Sequence, residues 1–262
     1  MRYLDDMKLL TPLALLSLLF SAQILANCSG PVDLLAVGDS QIGATWSRSY
    51  FGNFLPTCLK GNFVIYGRGA TTLGNWLNSG GMDHIETIQR DNESTHTNLG
   101  ANHKVPICKK RIEPMLMGHQ PRKVLFEFGG NYISNPSLDV KKNIEELMEL
   151  MRKNNIPAED CYFLTPTFEM EVESRRNIPQ RNLTNVQKIT QEIQSALAGR
   201  CQHISGIELM KSSPYFDGKE LLKRIPIQGL VGCTGAASND NVHVCGEAAK
   251  DLAERVCQIL NN

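Results

Sequence analysis

The chain has no surplus of either charge: 27 lysines and arginines stand against 27 aspartates and glutamates. Partners such as nucleic acid or a strongly anionic surface select for a basic excess, so neither is expected here. No two of the cysteines are spaced as C-x-x-C, the usual signature of a zinc or thiol-redox centre. The histidines His84, His96, His103, His119 and His203 form no metal-ligand pattern, so no metal and no cofactor is expected. Internal repeats and low-complexity tracts are missing as well, which argues against a solenoid. No apolar run reaches the length of about 20 residues that a bilayer demands, so stable membrane insertion is not expected.

What is present is the composition of an ordinary globular protein, 262 residues long and 42% hydrophobic. A chain of that size can bury a full core as one elaborated domain. Its first part reads as an export signal spanning 1–26. Leu9–Phe20 is a short apolar core, and Ala26 stands at a plausible cleavage position. The segment ahead of it is acidic for such a signal, whereas a start at Met7 gives a conventional one, so Met1 and Met7 both remain candidate starts. The remainder, 27–262, is expected to be a single domain in a secreted or periplasmic protein.

All eight cysteines lie beyond residue 26, and an even count in an exported chain reads as up to four disulfides. Leu25–Cys28 faintly resembles a bacterial lipoprotein box, in which Cys28 would carry a lipid anchor. Asn27 fits that box poorly, and lipidation would leave one thiol unpaired, so the soluble form is preferred. Asn92-Glu93-Ser94 and Asn182-Leu183-Thr184 match the glycosylation pattern, which matters only in a eukaryotic source.

Short apolar runs bounded by turn residues predict buried parallel strands at Asp33–Val37, Asn62–Tyr66, Lys123–Phe128, Cys161–Leu164 and His203–Leu209. Helical spacing links Val140, Ile144, Leu147, Met148 and Met151. It also links Leu183, Val186, Ile189, Ile193 and Leu197, and again Ala249, Leu252, Val256 and Leu260. Strands alternating with helices predict an α/β three-layer sandwich, a central parallel sheet of about five strands flanked by helices. The interval 78–120 reads as an irregular insertion, with the polar run Arg90–Asn102 exposed.

In such a sheet, chemistry collects beyond the carboxyl ends of the strands. The segments found there are Gly38-Asp39-Ser40, Gly67-Arg68-Gly69-Ala70-Thr71-Thr72 and Gly129-Gly130-Asn131-Tyr132, with Asp240-Asn241-Val242-His243 ahead of the last helix. A serine at a strand end is equally good turn or cap chemistry. As a nucleophile it needs a base to take its proton, an imidazole held by a carboxylate. It also needs donors for the oxyanion.

Together, and in this order, the four segments resemble the SGNH, or GDSL, hydrolase family. The resemblance implies Ser40 as nucleophile, His243 and Asp240 as base and acid, and an oxyanion hole made by Ser40, Gly69 and Asn131. Two positions depart from the family pattern: Gln41 follows the nucleophile, and Tyr132 stands where an acid is usual. The G-x-S-x-G elbow of α/β-hydrolases is absent, since Ile42 occupies its second glycine position. Cys233 and Cys245 bracket the Asp240–His243 segment and are expected to pair. Cys161 and Cys201, at the starts of consecutive predicted strands, are expected to form a second bridge.

The implied activity is hydrolysis of short-chain acyl esters, O-acetyl above all, on a small ester or an acylated glycan of the cell wall or another polysaccharide. Acyltransfer to carbohydrate, lipase or phospholipase action, and a non-catalytic carbohydrate-binding role on the same scaffold are the alternatives. Trp46 and Trp76 could offer sugar-stacking faces or simply pack in the core, and Arg68 could meet an anionic substrate or a surface acid. Nothing in the sequence specifies an oligomeric state.

Overall fold

The protein is described by a computed structural model covering residues 30–43, 50–78, 85–91, 94–98, 110–133, 135, 137–167, 183–215 and 243–262. The expected signal segment, Cys28, Trp46, Cys108, Cys233 and Asp240 lie outside these described residues.

In chain order the elements are β1 (Leu34–Gly38), α1 (Phe51–Cys58), β2 (Phe63–Gly67), α2 (Leu73–Asn78), β3 (Glu86–Asp91), β4 (Ser94–Asn98), α3 (Ile112–His119), β5 (Lys123–Glu127), α4 (Gly130–Ile133), α5 (Val140–Lys153), β6 (Cys161–Leu164), α6 (Leu183–Leu197), β7 (Gln202–Ile204), α7 (Gly206–Lys211) and α8 (Gly246–Leu260). The strands form one sheet in the order β4-β3-β2-β1-β5-β6-β7. The five strands from β2 to β7 are parallel, while β3 and β4 add an antiparallel hairpin at the β2 edge.

Burial on both faces explains why the parallel strands read as continuous apolar runs. Along β1, Leu35 and Val37 join a cluster with Trp76 of α2, Met115 of α3, Ile144 and Met148 of α5, and Ile193 of α6. Leu34 and Ala36 face the other way, against Phe51 and Leu55 of α1, Met210 of α7, and Leu252 and Val256 of α8. The predicted stripes of α5 and α8 are thus their core faces, and Asp139 caps α5 by accepting from Lys142 N at 2.9 Å.

Two expectations are corrected. The interval 78–120 is not irregular throughout, because it carries β3, β4 and α3. Alternating polar residues conceal an edge hairpin, which needs only one apolar face. Arg90 on β3 fastens it by donating to the carbonyls of Pro56 and Leu59, with its guanidinium 4.7 Å from the Phe63 ring centre. The strand expected at His203–Leu209 ends at Ile204. Ser205 then caps α7, its Oγ accepting from Glu208 N at 3.3 Å, so local capping overrides the apolar run.

Cys161 and Cys201 are bonded, joining β6 to the turn before β7, as expected. A second bridge that the sequence did not suggest, Cys58–Cys257, ties α1 to α8. Cys245 is also disulfide-bonded, and the Cys233 end of the pair expected for it lies outside the described residues. The Cys161–Cys201 link closes a loop with a sequence separation of 40. Replacing both cysteines by alanine is expected to lower unfolding stability by about 2–4 kcal/mol. An unchanged urea midpoint would show that the bridge contributes nothing to the fold.

Candidate active site

Strand β1 is flanked by β2 on one side and β5 on the other, so the crevice at its carboxyl end is the sheet's switch point. The turn that fills this crevice is built by Asp39. Its N–H donates to Glu127 O at 3.2 Å, its carbonyl accepts from Gly43 N at 2.8 Å, and its Oδ1 accepts from Gln41 N at 3.1 Å. The chain after this turn runs directly over the end of β2. A Cβ on Gly43 would lie 2.2 Å from the Gly67 carbonyl carbon, so only glycine allows the two backbones to touch.

Ser40 sits at the head of the turn with 9% of its surface exposed, and its Oγ lies 2.6 Å from His243 Nε2. With that nitrogen unprotonated, the hydroxyl donates to it, which is the arrangement a general base needs. His243 is buried, its ring stacked on Tyr50 at 4.8 Å between centres and 8° between planes. Tyr50 in turn forms an antiparallel bridge with Cys245, the residue that begins α8. The histidine is therefore held between an aromatic face and a cross-linked backbone. Sequence reasoning missed Tyr50, which stands in no motif and only precedes α1. Asp240, the expected acid partner, lies outside the described residues.

The Gly67–Thr72 loop approaches from the end of β2. A Cβ on Gly69 would stand 3.8 Å from the Ser40 Cβ, so the two backbones border one space. Among the described residues, the N–H groups of Ser40 and Gly69 donate to no acceptor, which leaves both open to an oxyanion. Asn131, at the start of α4, is the third expected donor. Its Nδ2 donates to Thr71 O at 2.8 Å and to Asp39 Oδ2 at 3.1 Å. Both amide protons thus have protein acceptors, and an oxyanion must share one of them.

Trp76 supports this loop from beneath, its indole N–H donating to Thr71 Oγ1 at 3.0 Å while Thr71 Oγ1 donates to Arg68 O at 2.7 Å. The ring is fully buried, so core packing and not sugar stacking is its role. Tyr132, the departure from the family pattern, is buried beside Asn131. Its hydroxyl accepts from Asn143 Nδ2 at 2.7 Å and from Gly74 N at 3.3 Å, joining α2 to α5 where an acid would otherwise stand. Burial raises its phenol above the ordinary tyrosine value. His119, hydrogen-bonded to Tyr66 at 2.7 Å, and His203, 3.2 Å from Thr165 Oγ1, lie away from this cluster.

One ionisable residue missed by sequence reasoning lies directly behind the turn. Glu127 ends β5, paired in register with Gly38, and is almost wholly buried. Burial first, and then the adjacent Asp39 carboxylate, hold its carboxyl well above the usual glutamate range.

Ser40, Gly69, Asn131 and His243 thus meet at the α/β switch point, and the chain has the fold of the SGNH/GDSL hydrolases. No family model and no curated protein matches the sequence. Solved structures do. A GDSL-like lipase from Bacteroides thetaiotaomicron matches with a TM-score of 0.55 at 15% identity, over 92% of this chain and 96% of the other. A candidate SGNH hydrolase from Slackia heliotrinireducens also gives 0.55, at 10% identity over 89% and 100%. A lipase/acylhydrolase from Enterococcus faecalis gives 0.50, at 13% identity over 86% and 93%.

The raised Glu127 carboxyl has a consequence for stability. The folded chain holds this proton more tightly than the unfolded chain does, so folding takes up a proton at pH values between the ordinary and the raised pKa. Stability from this group is therefore present below the ordinary glutamate value and is lost as pH rises through that window. Glu127→Gln removes the proton uptake. The stability gap between variant and wild type is expected to widen in the variant's favour by about 1.4 kcal/mol per pH unit above the glutamate range. Denaturation midpoints at several pH values measure this, and parallel curves would mean that Glu127 ionises normally.

Proposed function

We propose that this protein is a serine ester hydrolase acting on short-chain acyl groups, O-acetyl foremost, carried by a small ester or a polysaccharide. The observation that carries this reading is the 2.6 Å contact of Ser40 Oγ with His243 Nε2 at the switch point of the sheet. Ser40 attacks the ester carbonyl while His243 takes its proton. The oxyanion is received by the N–H groups of Ser40 and Gly69 and shares the amide of Asn131. His243 then returns the proton to the leaving alcohol, and a water activated by the same imidazole releases the acid. Asp240, three residues ahead of His243, would hold the imidazole in the required tautomer.

The near-burial of Ser40 supports a small acyl group over a long one. The disulfides Cys58–Cys257 and Cys161–Cys201 support an oxidising destination, secreted or periplasmic. No helix among the described residues is long and apolar enough to cross a membrane.

Hydrolysis of p-nitrophenyl acetate against longer acyl esters tests the reading. Acetate is expected to be preferred, with turnover lost in Ser40→Ala and kcat reduced about 10²–10³-fold in Asn131→Ala. Equal rates in wild type and Ser40→Ala would remove the serine from the mechanism. Turnover that appears only with a sugar acceptor would make the protein an acyltransferase.

A further inference from the structure

A buried acid closing the apolar run of a central strand requires a reason. Glu127 follows Val124, Leu125 and Phe126 on β5, and its neighbours in register, Gly38 of β1 and Leu164 of β6, carry no charge. By strand alternation its side chain shares a face with Leu125, the face covered by α1, α7 and α8. Asp39 is the charged group acting on it among the described residues: both acids are buried, and the Asp39 N–H donates to the Glu127 carbonyl at 3.2 Å. Its Oε2 has no partner there. A buried carboxylate with one bare oxygen is strongly disfavoured, whereas a neutral carboxyl is tolerated.

Asp39 is placed differently. One of its oxygens accepts from Gln41 N and the other from Asn131 Nδ2, donors that stabilise the ionised form. The donors around Asp39 favour its ionised form, and the bare oxygen of Glu127 favours its protonated one.

We propose that Glu127 is a positioning residue for ester hydrolysis: as a neutral carboxyl it donates to Asp39 and fixes that carboxylate between the nucleophile turn and the Asn131 amide. The proposal rests on the hydrolase reading above. One acid then sets Ser40 and the oxyanion donor as a unit, and Glu127 determines where that acid points. Glu127 itself touches no reacting atom. Its loss acts through Asp39, so it lowers kcat and leaves KM nearly alone, because the oxyanion donors work only in the transition state.

The test uses the full chain with p-nitrophenyl acetate, comparing wild type, Glu127→Gln, Glu127→Leu and Ser40→Ala. The leucine variant, which cannot donate, is expected to lose about a hundredfold in kcat with KM within about threefold. The glutamine variant keeps a donor in the same volume and is expected to recover most of that loss. Infrared difference spectra at neutral pH supply a readout independent of turnover, a protonated carboxyl band in wild type that is absent from Glu127→Gln. The glutamine variant and this band decide the proposal even where the leucine variant does not fold. A glutamine variant slower than wild type by a hundredfold, or no carboxyl band at neutral pH, overturns it. Activity that survives Ser40→Ala sinks the hydrolase reading instead, and the band still decides whether Glu127 holds its proton.

Discussion

The two oxygens of the Asp39 carboxylate do separate jobs, and the site depends on both. One closes the turn that lifts Ser40 off the end of β1, and the other holds Asn131, which belongs to the segment after β5. Both hydrogen bonds are 3.1 Å long and act in a nearly dry environment, where the low local dielectric strengthens them. The central strand and its neighbour are thereby coupled at their carboxyl ends by a side chain as well as by the sheet ladder.

The other half of the site is held by shape. Contact between Gly43 and Gly67 brings the loops after β1 and β2 together, and Gly69 follows within two residues. The histidine comes from a distant part of the chain and is braced by Tyr50 on its face and by Cys245 beside it. The groups of the proposed mechanism therefore rest on strand ends and a helix start. Such rigid supports hold near-attack geometry better than free loops do.

Much of this was legible from residue order. The continuous apolar runs of β1, β2, β5 and β6 mark strands buried on both faces, and the turn chemistry after them marks where Ser40, Gly69 and Asn131 stand. The edge hairpin was not legible, because Glu86–Asp91 and Ser94–Asn98 are largely polar and gain their order by pairing, β3 with β2 and β4 with β3. The apolar stretch after Ile204 misled for the opposite reason, since a serine cap outweighs strand propensity over a few residues. Tyr50 left no trace in the pattern, as a stacking partner has no required spacing from its histidine. Glu127 did leave one, a lone acid inside Lys-Val-Leu-Phe-Glu-Phe, and only the geometry gives it a role.

Ser40 and His243 are separated by 203 positions in the chain, and the bridge between α1 and α8 spans nearly as much. A protein is made from its amino end, so Ser40 leaves the ribosome long before His243. On the proposed mechanism, Ser40 is an ordinary alcohol until α8 has packed on α1, and a chain cut short before residue 243 lacks the imidazole that would activate it. Synthesis order thus acts, on that mechanism, as a safety catch: Ser40 gains its base only once the segment carrying His243 and α8 has been made and packed.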